Sequence, residues 1–123
     1  DLDGTLVNSI PVILTSFQET FEEMKIPCPI EEEIKKGIGS HLKDIFRHFV
    51  PENRIQESID IYRKYYLKKQ YNGEVPFFSG VQESLKHLSQ IYALGIVTTK
   101  LASVSRDLLQ DLEILNLFQT VVG

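Results

Sequence analysis

Over the first two thirds of the chain, apolar residues recur at spacings of three and four. Ile10, Ile13, Leu14, Phe17, Phe21 and Met24 fall on one face of a helix. Ser9 stands where an N-cap belongs, and Pro11 lies in the first turn, where a missing N–H does no harm. Pro27-Cys28-Pro29 stops that helix. Glu31 to Lys36 reads as a short helix with acids first and lysines last, an order the helix dipole favours. Gly37 and Gly39 break it, and Ser40 is placed to cap the next helix, which buries Leu42, Ile45, Phe46 and Phe49. Pro51 opens a longer helix with Ile55, Ile59, Tyr62 and Tyr66 on one face, closed by Asn72-Gly73. From about Ile10 to Asn72 the pattern is helical and carries no strand signal.

On both sides of this stretch the period changes. Asp1 to Val7 alternates acids with apolar residues and reads as the end of a strand entering a turn at Gly4. Ser79-Gly80-Val81-Gln82 has the spacing of a capping box, ahead of a helix with Val81, Leu85 and Leu88 on its inner face. Ala93 to Thr98 is a short apolar run of the kind that forms a buried parallel strand. Leu101, Val104, Leu108 and Leu112 mark one more helix, and Phe118 to Val122 one more strand. Strand, helical insert, helix, strand, helix, strand is the order of an α/β fold. It predicts a partial, doubly wound, Rossmann-like parallel-sheet core from residues 1–9 and 77–123, with an all-helical cap over 10–76.

Composition narrows the function classes. The chain has 123 residues, 42% of them hydrophobic, with 13 Lys plus Arg against 17 Asp plus Glu and a formal charge of −4. That balance argues against disorder, and the acidic excess argues against a general nucleic-acid or anionic-membrane partner. No apolar run approaches the roughly 18 residues that span a bilayer. A lone Cys28 excludes an internal disulfide and a multi-cysteine metal site, and suits a reducing cytoplasm. No basic start or cleavage site marks a secretory leader. Both ends read as cut: the chain opens on Asp1 and closes on the strand-like run Val121-Val122-Gly123.

The chemistry concentrates at the start. Asp1 and Asp3 are two apart, so a regular strand would turn both to one side, and paired carboxylates call for a cation. At a strand end in an α/β sheet they would lie where such folds bind ligands. Their possible roles are nucleophile, proton carrier and ligand for a hard divalent ion, although a solvated acidic turn has the same Asp-x-Asp-Gly spelling.

Asp1-Leu2-Asp3-Gly4-Thr5-Leu6-Val7-Asn8-Ser9 resembles the first motif of the haloacid-dehalogenase superfamily, with Asn8 where an aspartate is more frequent. Leu94 to Lys100 resembles its second motif, an apolar strand ending in Thr or Ser, and Phe78-Ser79-Gly80-Val81 resembles the re-entry into the core after a helical cap. The pattern is most similar to the phosphoglycolate-phosphatase and pyrophosphatase branch. The resemblance implies a phosphatase acting on a small phosphorylated metabolite. Asp1 would be the nucleophile that forms an aspartyl-phosphate, and Asp3 the group that protonates the leaving oxygen and then activates water. Mg²⁺ would be held by the Asp1 carboxylate and the Asp3 carbonyl. Thr98 would bind the phosphoryl oxygens, helped by main-chain amides around Leu2, Asp3, Gly4 and Thr99. The superfamily's third-motif lysine or arginine and fourth-motif acids do not occur before Gly123.

Other residues invite plainer readings. In the cap, Ser40, His41 and Lys43 around Gly37-Ile38-Gly39 are candidates to read the substrate beyond its phosphate; Lys43 with Arg47 equally fits a solvated helix face. Lys100 reads as a surface or helix-start lysine, with contact to the phosphate as its alternative, His48 and His87 as ordinary helix residues, and Cys28 as an inert connector. Tyr62, Tyr65, Tyr66 and Tyr71 read as cap packing, and Lys64, Lys68 and Lys69 as a solvated face. Phosphoglycolate, pyrophosphate and other small esters stay open as substrates. A sugar phosphomutase of the same superfamily and a non-catalytic phosphate- or metal-binding module stand as alternatives. Oligomeric state is left open.

Overall fold

A computed structural model describes all residues, Asp1–Gly123. Its helices are α1 (Ile10–Met24), α2 (Glu31–Gly37), α3 (Leu42–Arg47), α4 (Ile55–Tyr71), α5 (Val81–Ser89) and α6 (Ala102–Asp111). Its strands are β1 (Leu94–Val97) and β2 (Phe118–Val122). The chain divides into two compact units, Ile10–Lys69 on one hand and Asp1–Ser9 with Gln70–Gly123 on the other.

The first unit is entirely helical, and no strand pairs within it beyond an isolated bridge between Ile38 and Ser40. Its core is aromatic. Phe17 of α1 lies 4.7 Å from Tyr62 and 5.0 Å from Phe46, ring centre to ring centre, and Phe21 lies 6.0 Å from Phe46. Phe17, Phe21 and Phe46 have no exposed surface, and each such side chain stabilises the fold by roughly 1.5–3 kcal/mol through burial alone. Lys64 and Lys69 of α4 reach back to Glu23 and Glu19 of α1. Lys69 is only 14% exposed, so it is not the solvated lysine its neighbours suggested. Its stem lies against the helix pair while its ammonium finds a carboxylate.

The second unit holds the sheet. β1 and β2 pair in parallel, Ile96 opposite Val121 and Val97 opposite Val122, with an irregularity between Leu94 and Gly95. Leu2, Val7, Leu85, Ile96, Leu108, Leu109, Ile114 and Val121 form its core. The expectation of a fully buried strand over Ala93–Thr98 does not hold: of β1 only Ile96 is buried, and Val97 is 70% exposed. With two strands in the sheet, each has a neighbour on one side only. Asp1–Val7 forms no regular strand either; it is held by isolated bridges, Asp3 to Val7 and Val7 to Phe77. Gln70 and Tyr71, at the end of α4, group with the second unit, where Gln70 donates to the Val104 carbonyl and Tyr71 to Asp107. Tyr71 is accordingly an exposed residue of the sheet unit and packs no cap.

The expected side-chain caps are replaced by other devices. Ser9 immediately precedes α1, but its hydroxyl is buried without a hydrogen-bond partner. Gly80, with φ 78°, precedes α5, and no side chain caps that helix; the left-handed turn favours glycine over the capping serine. His41 rather than Ser40 precedes α3, again without a side-chain cap. Leu88 of α5 is exposed.

Candidate active site

The site is assembled from the opening turn and the end of β1, both within the sheet unit. The turn is tight. Thr5, Leu6 and Val7 all donate main-chain N–H to the Leu2 carbonyl, and Gly4 donates to Val7. Gly4 has φ 72°, a conformation a side chain would strain. Two further main-chain bonds, from Asn8 to Pro76 and from Phe78 to Leu6, tie this turn to the returning chain. Leu2 and Val7 have no exposed surface, so the apolar half of the motif anchors it while Asp1 faces outward.

Asp1 is exposed, and its carboxylate accepts from the Leu2 N–H at 2.8 Å and from the Thr5 hydroxyl at 3.4 Å. The Thr5 contact escaped the sequence reading; its signal was a hydroxyl four residues after an acid across a glycine turn. Asp3 is more enclosed, with its side chain 17% exposed. One carboxylate oxygen lies 3.2 Å from Lys100 Nζ, and the other is buried with no hydrogen-bond partner.

Thr98 follows β1. Its N–H donates to the Val122 carbonyl at 2.9 Å, and its hydroxyl accepts from the Lys100 N–H at 3.2 Å. Gly123 lies so close to this turn that a Cβ there would stand 2.0 Å from the Lys100 carbonyl oxygen. Thr99 is exposed at the apex. The Lys100 side chain is 11% exposed, which corrects its reading as a surface lysine. Burial holds its ammonium below the ordinary lysine range, and the Asp3 charge opposes that shift. Sequence spacing could not place it, because the contact spans the whole helical insertion.

Two expected phosphate donors are already engaged: the Leu2 N–H by Asp1 and the Gly4 N–H by Val7. A phosphoryl group would have to displace those bonds to use them. Among the cap candidates, Ser40 lines a concavity of about 390 Å³ together with Glu33, Lys36, Asp44 and His48. His41 and Lys43 are exposed and outside that lining, whereas His48, read as an ordinary helix residue, belongs to it. Cys28 is free and exposed, and desolvation raises its thiol pKa, as an inert cysteine requires.

The donor set suits a hard cation in kind but is short in number. Asp1 and Asp3 offer oxygen ligands, yet no three acidic, histidine or cysteine side chains come together.

Parallel strands with helices between them, an all-helical insertion, and two acids in a glycine turn joined through Lys100 to a strand-end threonine define an α/β scaffold of the Rossmann-like, helix-capped class. The model of the haloacid dehalogenase-like hydrolases matches residues 1–123, and the chain belongs to that family. It is 35% identical over 126 residues to the pyrophosphatase PpaX of Listeria monocytogenes, covering all of this chain and 57% of that protein. It is 27% identical over 125 residues to the phosphoglycolate phosphatase of Aquifex aeolicus, covering 58% of it. Among solved structures, a haloacid dehalogenase-like hydrolase from Streptococcus pneumoniae superposes with a TM-score of 0.88 at 37% identity, over 98% of this chain and 57% of that one. The chain thus spans somewhat more than half the length of these relatives. No helix is long and apolar enough to cross a membrane.

Proposed function

We propose that the protein carrying this chain is a phosphatase for a small phosphorylated metabolite, working through an aspartyl-phosphate on Asp1. The observation that carries the reading is the placement of Asp1, Asp3 and Thr98 within one unit. Asp1 is exposed and oriented by Leu2 and Thr5, while Asp3 is enclosed beside it with one oxygen unpartnered. The two acids differ in environment, which is how two carboxylates acquire two roles.

Asp1 attacks phosphorus, and the bond from phosphorus to the leaving oxygen breaks. Asp3 gives that oxygen its proton. Asp3 then accepts a proton from the water whose oxygen attacks the aspartyl-phosphate, which releases phosphate and restores Asp1. Thr98 and the amides of its turn hold phosphoryl oxygens, since phosphoryl transfer asks chiefly for positioning and charge neutralisation. The Asp1 carboxylate and the Asp3 carbonyl would hold Mg²⁺, with other ligands completing its shell. Bound there, the ion would let an anionic nucleophile approach an anionic phosphate.

The likeness to pyrophosphatase PpaX favours inorganic pyrophosphate as a second substrate reading beside a phosphoglycolate-like ester. The test is turnover by the full-length protein on pyrophosphate, 2-phosphoglycolate and p-nitrophenyl phosphate, with Asp1→Asn beside it. Hydrolysis that Asp1→Asn abolishes is expected. Failure of the wild type on all three, or near-normal turnover by Asp1→Asn, overturns the reading and leaves a phosphate- or metal-binding module.

A further inference from the structure

We infer that Lys100 is a positioning residue that fixes the proton-carrying carboxyl of Asp3 and the phosphate-binding hydroxyl of Thr98 in one arrangement. This rests on the phosphatase reading and adds to it a residue to which that reading gives no part. The observations are geometric. Lys100 Nζ lies 3.2 Å from one Asp3 oxygen, in a place where the lysine side chain is 11% and the aspartate side chain 17% exposed. The main-chain N–H of the same residue donates to the Thr98 hydroxyl at 3.2 Å. The turn that carries it is itself held by the Thr98 to Val122 main-chain bond.

Each contact has a chemical consequence. An ammonium only donates, so the Asp3 oxygen facing it cannot carry a proton toward it. Paired with the ammonium, that oxygen fixes the plane of the Asp3 carboxyl and so the direction in which the acid faces. The Thr98 hydroxyl, with a lone pair engaged by the Lys100 N–H, turns its own hydrogen elsewhere and can donate it to a phosphoryl oxygen. An ion pair this enclosed is weak evidence for stability, because desolvation offsets much of the attraction; a role in orienting the acid explains its position better.

The experiment separates leaving groups. Nitrophenolate departs without a proton, whereas the alkoxide of 2-phosphoglycolate needs one. In the full-length protein, Lys100→Met should lower kcat on 2-phosphoglycolate by about 10²-fold, the scale of a general acid's contribution. That loss should exceed the loss on p-nitrophenyl phosphate at least tenfold, with KM shifted little on either, and Lys100→Arg should restore part of the difference. Equal losses on both esters, a raised KM with kcat preserved, or no change overturns the inference. Should Lys100→Met not fold, Lys100→Gln is read by the same ratio. A wild type that hydrolyses neither ester overturns the phosphatase reading itself, and this inference with it.

Discussion

Lys100 and Asp3, 97 positions apart in sequence, meet as ammonium and carboxylate at 3.2 Å. Removing either partner alone leaves a largely enclosed charge without its counterpart. Asp3→Asn and Lys100→Met should therefore each destabilise the fold, and the double variant should be less destabilised than the sum. A double-mutant cycle by denaturant unfolding should give a coupling of about 0.5–3 kcal/mol. Strict additivity would show that the two side chains do not act as a pair.

The Thr5 hydroxyl reaches the Asp1 carboxylate at 3.4 Å, a long and partly exposed bond. Thr5→Val should lower kcat of the full-length protein on the ester it hydrolyses by about 2- to 10-fold, the equivalent of one hydrogen bond weakened by length and exposure. A larger loss would assign Thr5 a direct contact with substrate.

Gly95 faces Thr120 across the parallel pair, and a Cβ at 95 would lie 3.0 Å from the Thr120 methyl. Gly95→Val should destabilise the sheet unit by about 1–3 kcal/mol through overpacking, and a second change, Thr120→Ser, should recover part of that. Thermal unfolding of the three variants measures it.

Acid should loosen the helical unit in part through Glu23. Hydrogen bonds from Tyr65 and then Lys64 hold its carboxyl below the ordinary value of 4.5. A lowered native pKa means that the stabilisation is complete above the unfolded value and disappears as pH falls through the native one. Glu23→Gln should therefore flatten the fall in stability below about pH 4.5 without altering the plateau slope near neutrality. Since the pair is exposed, salt should shrink the difference. Identical acid-unfolding curves for the two proteins would remove Glu23 from the account.

For the 123-residue chain alone, Mg²⁺ binding should be weak, because on the proposed reading the Asp1 carboxylate and the Asp3 carbonyl would be its only protein ligands, and no three acidic side chains converge. A calorimetric titration saturating at micromolar Mg²⁺ would show that Lys100 and its neighbours leave room for a complete shell.

Much of the helical unit was legible because its cause is local. Phe17, Phe21, Ile55, Ile59, Tyr62 and Tyr66 repeat at helical spacing, and every one of them is buried. The turn after Asp3 was legible for the same reason, since Gly4 permits a backbone that few other residues adopt. The caps were not. Ser9, Ser40 and Ser79 have the right chemistry, but no side-chain bond from any of them caps the helix that follows, and the Ser9 hydroxyl is buried without a partner. Capping costs little to forgo when packing already fixes the helix ends.

Sequence by itself therefore determined the helical insertion and the helix–strand–helix–strand order after it, and singled out Asp1, Asp3 and Thr98 as candidates for the chemistry, because period and motif are written in neighbouring positions. Tertiary structure alone decided which groups surround them. It enclosed Lys100 against Asp3, engaged the Leu2 and Gly4 amides, and set His48 rather than His41 beside Ser40 in the concavity of the helical unit. Charge pairing and burial depend on distances through space between segments far apart in the chain, and no local pattern of residues encodes those distances.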